Sequence, residues 1–211
     1  MKRDFALLFG LGAIATLLSF PFPPPLLGLL IAEVAVALLV LAGIFARARV
    51  GLDVPPTAKR LLLAFPIGVV LGGATLALLP LTGLQSRIIQ EAAIPLWKRF
   101  IIAFDAGILE EIVFRLFVMS VVAWALSHVM RRNAAIWTGA IVAAIAFGAV
   151  HLPRWLAANA NPTMLVSVML VNGAIAIALA LVYWKWGIEA AIVAHFAGDV
   201  TVHIAGPYLF T

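Results

Sequence analysis

Apolar segments of membrane-spanning length follow one another along almost the whole chain. A helix that crosses a bilayer needs about 20 consecutive, mostly apolar residues. The candidate segments, separated by proline, glycine or charge, cover residues 5–20, 25–46, 61–82, 99–128, 134–152, 163–184 and 188–206. Only 11% of the 211 residues are charged and 65% are hydrophobic, whereas a soluble domain carries about 25% charged residues. The sequence therefore predicts an all-α, polytopic transmembrane helical bundle with about seven spans.

The chain contains no obvious linker or internal repeat, so we expect a single integral membrane domain over residues 1–211. Its net charge of +5 is compatible with nucleic-acid binding. However, the basic residues occur as short pairs between apolar segments, which is typical of orientation in a membrane. Most of these pairs lie in loops on the same side as the amino terminus. We therefore expect a cytoplasmic amino terminus and no nucleic-acid partner.

The fourth segment carries charge inside apolar sequence, where Glu110, Glu111 and Arg115 lie among Ile, Leu, Val and Phe. Ionisable side chains in the hydrocarbon region are costly and rare, and they usually mark function. Successive helical residues point about 100° apart. Glu110 and Glu111 therefore face different directions, whereas Glu111 and Arg115 lie one turn apart and can pair. We predict a buried Glu111–Arg115 ion pair and a Glu110 carboxylate that faces the interior; the alternative is that both acids only hold helices together.

Two later segments carry further polar side chains, each with a second motif residue one helical turn away. Phe147 and His151 share a face near the end of the fifth segment, and His195 and Asp199 share a face in the seventh. Buried polar groups need hydrogen-bond partners, and lipid offers none. We therefore predict that Glu110, His151 and His195 converge on one buried site.

These side chains are suited to hydrolysis by an activated water. A glutamate and a histidine that share one water can deprotonate it, and nearby donors can hold the oxyanion that forms when the water attacks a carbonyl. Ser120, Ser127 and Ser167 lie outside any nucleophile-elbow motif, which disfavours a covalent serine mechanism. The lack of cysteine in the sequence excludes a thiol nucleophile. The residues match peptide-bond hydrolysis.

Three motifs, on the fourth, fifth and seventh apolar segments, have the order and spacing of a known family. They are Glu110-Glu111-x-x-x-Arg115, Phe147-x-x-x-His151 and His195-x-x-x-Asp199. Together with the run Tyr-Trp-Lys-Trp-Gly at residues 183–187, they resemble the CPBP family, also called the Abi or type II CAAX-prenyl protease family. The resemblance covers about residues 99–200 and implies a CAAX-protease-like catalytic core at about residues 99–206.

The resemblance implies an intramembrane glutamic-type endopeptidase that uses neither a metal nor another cofactor. The implied roles are water activation by Glu110 and His151, an oxyanion site at His195 and Asp199, and support by Glu111, Arg115 and Phe147. Eukaryotic-type members carry asparagine where this chain has Asp199. An ionised aspartate cannot donate a hydrogen bond, so either Asp199 is protonated or it orients His195, which then supplies the donor.

The resemblance also implies partners and a location. The partners are the lipid bilayer and a membrane-associated protein or peptide substrate, for which family analogy permits a prenylated carboxyl terminus, a sorting-tag protein or an exported peptide. The expected location is a prokaryotic plasma membrane, which the chain crosses several times.

Two rival functions use the same residues. Two histidines and two carboxylates could hold zinc with an open water position, as in a zinc-dependent membrane protease, although the sequence lacks H-E-x-x-H. Loss of activity in a strong chelator would identify that enzyme. A non-catalytic immunity or scaffold protein could keep the fold to bind a peptide, and its biological effect would survive loss of Glu110. A proton-coupled transporter is disfavoured because the two halves of the sequence lack matching broken helices.

A few other residues carry weaker predictions. Asp105 could lie at the edge of the same cavity or near lipid headgroups, and His203 is expected to be an interfacial histidine. Gly68, Gly72 and Gly73 in the third segment predict close packing of another helix.

Overall fold

The computed structural model describes residues 2–21, 24–157 and 160–210. Residues 1, 22–23, 158–159 and 211, which belong to the predicted single domain, lie outside the described part. The α-helices are α1 (Lys2–Ser19), α2 (Leu26–Val50), α3 (Ala58–Thr82), α4 (Gln85–Gln90), α5 (Leu96–Glu110), α6 (Ser120–Leu126), α7 (Arg132–Ala157), α8 (Pro162–Trp186) and α9 (Ile188–Asp199). The described residues contain no strand, so the prediction of an all-α fold is confirmed.

Two stretches of the bundle are wound as π-helices. The first, Glu111–Met119, joins α5 to α6, and the second, Val200–Ala205, follows α9. Short 3-10 turns at Glu91–Ala93 and Gly206–Tyr208 complete the helical structure. A π-helix has i→i+5 hydrogen bonds and is frequent at functional sites. The first π-helix contains Glu111 and Arg115, and the second directly follows Asp199.

Each predicted span corresponds to one helix or one continuous helical run. Five of these are long and apolar enough to cross a bilayer, namely Leu26–Val50, Ala58–Thr82, Arg132–Ala157, Pro162–Trp186 and Ile188–Tyr208. The first predicted span, α1, has charged residues in its first turn. The fourth run is divided by its π-helix and contains several charged residues. For these two runs, crossing of the membrane stays a prediction.

Local sequence signals explain several of the helix ends. Thr57 caps the amino-terminal end of α3, because its side chain accepts a hydrogen bond from the Arg60 N–H at 3.3 Å. Asn161 caps α8 in the same way and is followed by proline at the first helical position. Gly51 ends α2 with φ 67°, a left-handed conformation that glycine adopts at low cost. These caps fix where the helices end and keep the connections between neighbouring spans short.

The bundle is apolar outside and polar at selected points inside. Large aliphatic side chains such as Leu26, Leu62 and Leu81 are exposed, whereas Glu111, Arg115 and His195 are buried. In water, exposure of so many large apolar side chains would be unfavourable. In a bilayer these side chains contact lipid hydrocarbon, and the polar groups find their partners inside the bundle. The arrangement agrees with a membrane-embedded bundle built around an interior polar site.

Glycines bring α3 against α9, the helix that carries His195. A Cβ atom placed on Gly68 would overlap the carbonyl oxygen of Ala194, and one on Gly72 would lie 2.6 Å from the carbonyl oxygen of Gly198. The prediction of close packing is confirmed at these two positions. It is wrong at Gly73, where a Cβ would meet no atom within 4 Å, because this glycine points away from α9.

Gly68→Ala is expected to destabilise the protein by about 1–3 kcal/mol, since overpacking of a close contact has that cost. The matched control is Gly73→Ala in the same helix, which is expected to be neutral or to stabilise by less than about 1 kcal/mol through helix propensity. The measurement is the free energy of unfolding in detergent. Equal effects of the two substitutions would show that α3 does not rest on α9 at Gly68.

Candidate active site

A buried ion pair forms the base of the site. The Glu111 carboxylate, at the start of the first π-helix, lies 3.0 Å from the Arg115 guanidinium, and both side chains are almost fully buried. Arg115 also donates to the Ala176 carbonyl of α8 at 3.4 Å, and its guanidinium lies 4.7 Å from the centre of the Phe147 ring. The predicted Glu111–Arg115 pair is confirmed, and it connects the first π-helix to α7 and α8.

The same carboxylate holds His195. Glu111 Oε1 lies 2.8 Å from His195 Nδ1. Because an ionised carboxylate only accepts hydrogen bonds, Nδ1 carries the proton. This bond fixes the ring and directs Nε2 towards Glu110 and Asp199, whose oxygens lie 3.6 Å and 3.7 Å away. His195 is therefore an oriented imidazole with its second nitrogen facing carboxylates.

Glu110, the last residue of α5, faces the imidazoles of two other helices. Its Oε1 lies 3.9 Å from His151 Nε2, and its Oε2 lies 3.6 Å from His195 Nε2. These distances exceed those of direct hydrogen bonds, and they fit groups that share a bridging water. The side chain is 28% exposed, unlike that of Glu111, so the two adjacent acids have the different environments that the helical geometry predicts.

The protonation of His151 follows from its backbone contact. Nδ1 lies 2.7 Å from the Phe147 carbonyl oxygen, which can only accept, so Nδ1 is the donor. In the neutral ring, Nε2 is then left with a lone pair on the Glu110 side. The His151 ring also packs against Phe147, with 4.8 Å between ring centres. A water between Glu110 and His151 would find two acceptors for its two protons.

A cavity of about 270 Å³ joins these side chains to a second group of polar residues. Glu110, His151, His195 and Asp199 line one part of it. The remaining polar residues that line it are Thr75, Arg87, Glu91, Arg99, Arg154, Asn172 and His203. The structure thus brings Glu110, His151 and His195 together, as predicted, and Asp199 lies beside them. Their catalytic roles stay predictions.

Two polar residues have partners that the sequence analysis does not indicate. His203 is not simply interfacial: its Nδ1 lies 2.7 Å from Glu91 Oε2, and the ring lines the cavity. The spacing of His195, Asp199 and His203, four residues apart each time, was the signal that could have indicated this. Asp105 accepts a hydrogen bond from Ser19 of α1 and does not line the cavity. Its partner is therefore another helix, not the site.

Among the described residues, no group of three or more His, Cys, Asp or Glu side chains is arranged to hold a metal ion. Each imidazole Nε2 faces Glu110, while the Nδ1 atoms are used by a backbone carbonyl and by Glu111. The site is therefore best described as a carboxylate between two oriented imidazoles.

The fold and the site together define a multi-pass membrane protein with an acid and imidazole cluster inside its helical bundle. Comparison with protein families matches residues 92–201, slightly more than half of the chain, to the family described as Type II CAAX prenyl endopeptidase Rce1-like. The chain belongs to this family, as its motifs predict. Comparison with curated proteins and with solved structures gives no match. Family membership implies a peptidase, and the matched residues contain every predicted site residue from Glu110 to Asp199.

Proposed function

We propose that the protein is a glutamic-type intramembrane endopeptidase that hydrolyses a peptide bond of a membrane-associated protein or peptide. The observation that carries the proposal is the position of the Glu110 carboxylate between His151 Nε2 at 3.9 Å and His195 Nε2 at 3.6 Å, all lining one cavity. This geometry supports a shared water that is activated by the carboxylate and the neutral imidazole.

In the proposed reaction, Glu110 takes one proton from the water, while His151 Nε2 accepts a hydrogen bond from the O–H that remains. The water oxygen attacks the carbonyl carbon of the scissile bond and forms a tetrahedral oxyanion. Glu110 then gives its proton to the amide nitrogen as the C–N bond breaks, which leaves a new carboxyl group and a new amine. No atom or electron is required beyond the water and the peptide.

His195 is the proposed donor to the oxyanion. Its Nδ1 proton is held by Glu111, so a donor at Nε2 requires the imidazolium form. The neighbouring carboxylates of Glu110 and Asp199 offset that positive charge. In this proposal Asp199 acts through His195 and does not itself donate, which accounts for aspartate at a position where related enzymes carry asparagine. Arg115 and Phe147 act indirectly, by holding Glu111 and His151 in place.

The proposal is tested by a proteomic comparison of membranes from cells that make the wild-type protein or Glu110→Gln at equal levels. At least one membrane-associated protein is expected to accumulate as an uncleaved precursor in the Glu110→Gln cells, because only the chemical step is removed. An identical set of termini in both samples would contradict peptidase activity and favour the non-catalytic alternative. Repeating the cleavage in a strong chelator separates this mechanism from that of a zinc enzyme, since only the latter would lose activity.

A further inference from the structure

The cavity has a neutral part besides the acidic part that holds the proposed catalytic residues. The basic part of its lining contains Arg87, Arg99 and Arg154. The face that α8 supplies to the cavity is formed by Val171, Asn172 and Ile175. Asn172 is therefore the single polar side chain that the described residues of α8 present to the cavity.

The Asn172 side chain uses only part of its hydrogen-bonding capacity within the protein. Its Nδ2 donates to the Val168 carbonyl, one turn earlier in the same helix, at 2.8 Å. Throughout the described ranges this is the only hydrogen bond of the side chain, so the second Nδ2 hydrogen and the Oδ1 acceptor are left for a ligand. The bond connects α8 to no other helix. A polar side chain in a membrane span is costly, and one that joins no helices but faces a cavity indicates a binding role.

Contacts between α7 and α8 fix the direction and register of the two helices. The Trp137 ring, near the start of α7, lies 5.8 Å from the Trp184 ring, near the end of α8. Further along α7, a Cβ atom on Gly148 would lie 3.2 Å from the Met169 carbonyl oxygen. Later residues of α7 thus meet earlier residues of α8. The two helices are antiparallel and lie in close contact at Gly148.

This register gives the distance from Asn172 to the proposed water site. His151 follows Gly148 by three residues and Asn172 follows Met169 by three residues, in opposite directions along the antiparallel pair. His151 and Asn172 are therefore about 9 Å apart along the helix axes, at about 1.5 Å per residue. An extended peptide advances about 3.3 Å per residue, so about three residues of substrate would cover this distance.

We infer that Asn172 binds the backbone of the peptide substrate, about three residues from the scissile bond and on the side away from Arg154. A peptide that is extended for cleavage has lost its helical hydrogen bonds, and lipid offers no replacement. Asn172 Oδ1 can accept from a peptide N–H, and Nδ2 can donate to a peptide carbonyl. Because every peptide unit has these groups, the contact selects an extended backbone and not a particular side chain. This inference rests on the proposed function in its choice of a peptide as ligand.

The test is a binding experiment that needs no turnover. Full-length Glu110→Gln protein in phosphatidylcholine nanodiscs first selects the most strongly retained peptide from a library of lipidated random decapeptides. This parent peptide is then made as a series in which each backbone amide in turn is replaced by an ester, which removes one N–H donor and keeps the length of the chain. Dissociation constants are measured by competition with the labelled parent. We expect one ester to bind about 5- to 10-fold more weakly, the effect of one lost hydrogen bond.

Variants of Asn172 in the same Glu110→Gln background assign the effect to this residue. Asn172→Leu, which has similar volume and no hydrogen-bonding group, is expected to bind the parent about 5- to 10-fold more weakly. The sensitive ester should then bind within about 2-fold of the parent. A packing defect would instead weaken the parent and all esters alike. Asn172→Ala should give the same pattern, and unfolding temperatures show that the variants are folded.

The matched control is Ser167→Ala, at a partly buried serine of α8 that does not line the cavity. It should keep both the affinity for the parent and the sensitivity to the one ester. Three results would overturn the inference: retention of no peptide above that of an empty nanodisc, equal affinity for the parent and every ester, or an ester profile that Asn172→Leu leaves unchanged.

Cleavage of the parent peptide by the wild-type protein is scored separately. Failure of cleavage would count against the proposed function, while the ester profile still decides the role of Asn172. Where cleavage occurs, it locates the scissile bond. A sensitive amide more than about five residues from that bond would lie beyond the reach of Asn172 and would also overturn the inference.

Discussion

Glu110→Gln is expected to reduce kcat/KM for peptide cleavage by about 10³-fold or more while the protein remains folded. Glutamine has the same shape but cannot take a proton from water, and general-base catalysis contributes about 10²- to 10⁴-fold. Glu110 is 28% exposed and is not the partner of Arg115, so its neutralisation leaves the buried Glu111–Arg115 pair intact. The measurement is the cleavage rate of the precursor found in the proteomic comparison, together with the unfolding temperature in detergent.

The matched control is Glu33→Gln, a glutamate inside α2 that does not line the cavity. Its activity should stay within about 2-fold of wild type. His151→Ala and His195→Ala should also lose most activity, since the first accepts from the same water and the second is the proposed oxyanion donor. Full activity in all three variants of the site would refute the mechanism, whereas loss of activity in Glu33→Gln would show that the assay responds to general disturbance of the bundle.

The core of the site was predictable because it depends on one-turn spacing and on the cost of buried charge. Glu111 and Arg115 lie in a π-helix and not in the α-helix that the spacing assumed, yet their side chains still meet at 3.0 Å. Residues four apart remain close on one face in both geometries. The one-turn spacing therefore did not indicate the π-helix, whose i→i+5 bonds are rare in proteins.

The basic part of the cavity was not predictable in the same way. Glu91 and His203, which pair across it, are 112 residues apart, and no periodic pattern links them. Arg87 and Glu91 lie in the short helical connection at residues 85–93, between the third and fourth predicted spans. Basic residues near span ends are common for reasons of membrane orientation. Only the three-dimensional position of α4 beside the end of α7 distinguishes a cavity lining from an ordinary flank.

Asp105 shows the limit of reasoning from one helix. Its place in α5 relative to Glu110 indicated either the edge of the cavity or a position near lipid headgroups, and not a contact with another helix. The choice depends on which neighbour covers that face, and here α1 does, because Ser19 donates to the Asp105 carboxylate. The same uncertainty did not affect Glu111, since Arg115 in its own helical run supplies the partner.

Arg115→Met is expected to destabilise the protein by about 3–5 kcal/mol, the cost of leaving one member of a buried ion pair alone. The Arg115 side chain is 1% exposed and that of Glu111 is fully buried. Methionine keeps much of the apolar volume but loses the contacts to Glu111, to the Ala176 carbonyl and to the Phe147 ring. Denaturant unfolding in detergent measures the change. Arg49→Met, at an exposed arginine, is the control and should change stability by less than about 0.5 kcal/mol.

A double-mutant cycle with Glu111→Gln separates lost pairing from lost packing. If the cost arises from a stranded carboxylate, Arg115→Met combined with Glu111→Gln should be less destabilised than the sum of the two single variants, by about 1–3 kcal/mol. Strict additivity would contradict the stranded charge and leave only a packing defect. The double variant should nevertheless stay inactive, because Glu111 also holds His195 Nδ1 at 2.8 Å. Recovered stability without recovered cleavage would therefore show that this carboxylate both balances Arg115 and orients the imidazole that faces Glu110.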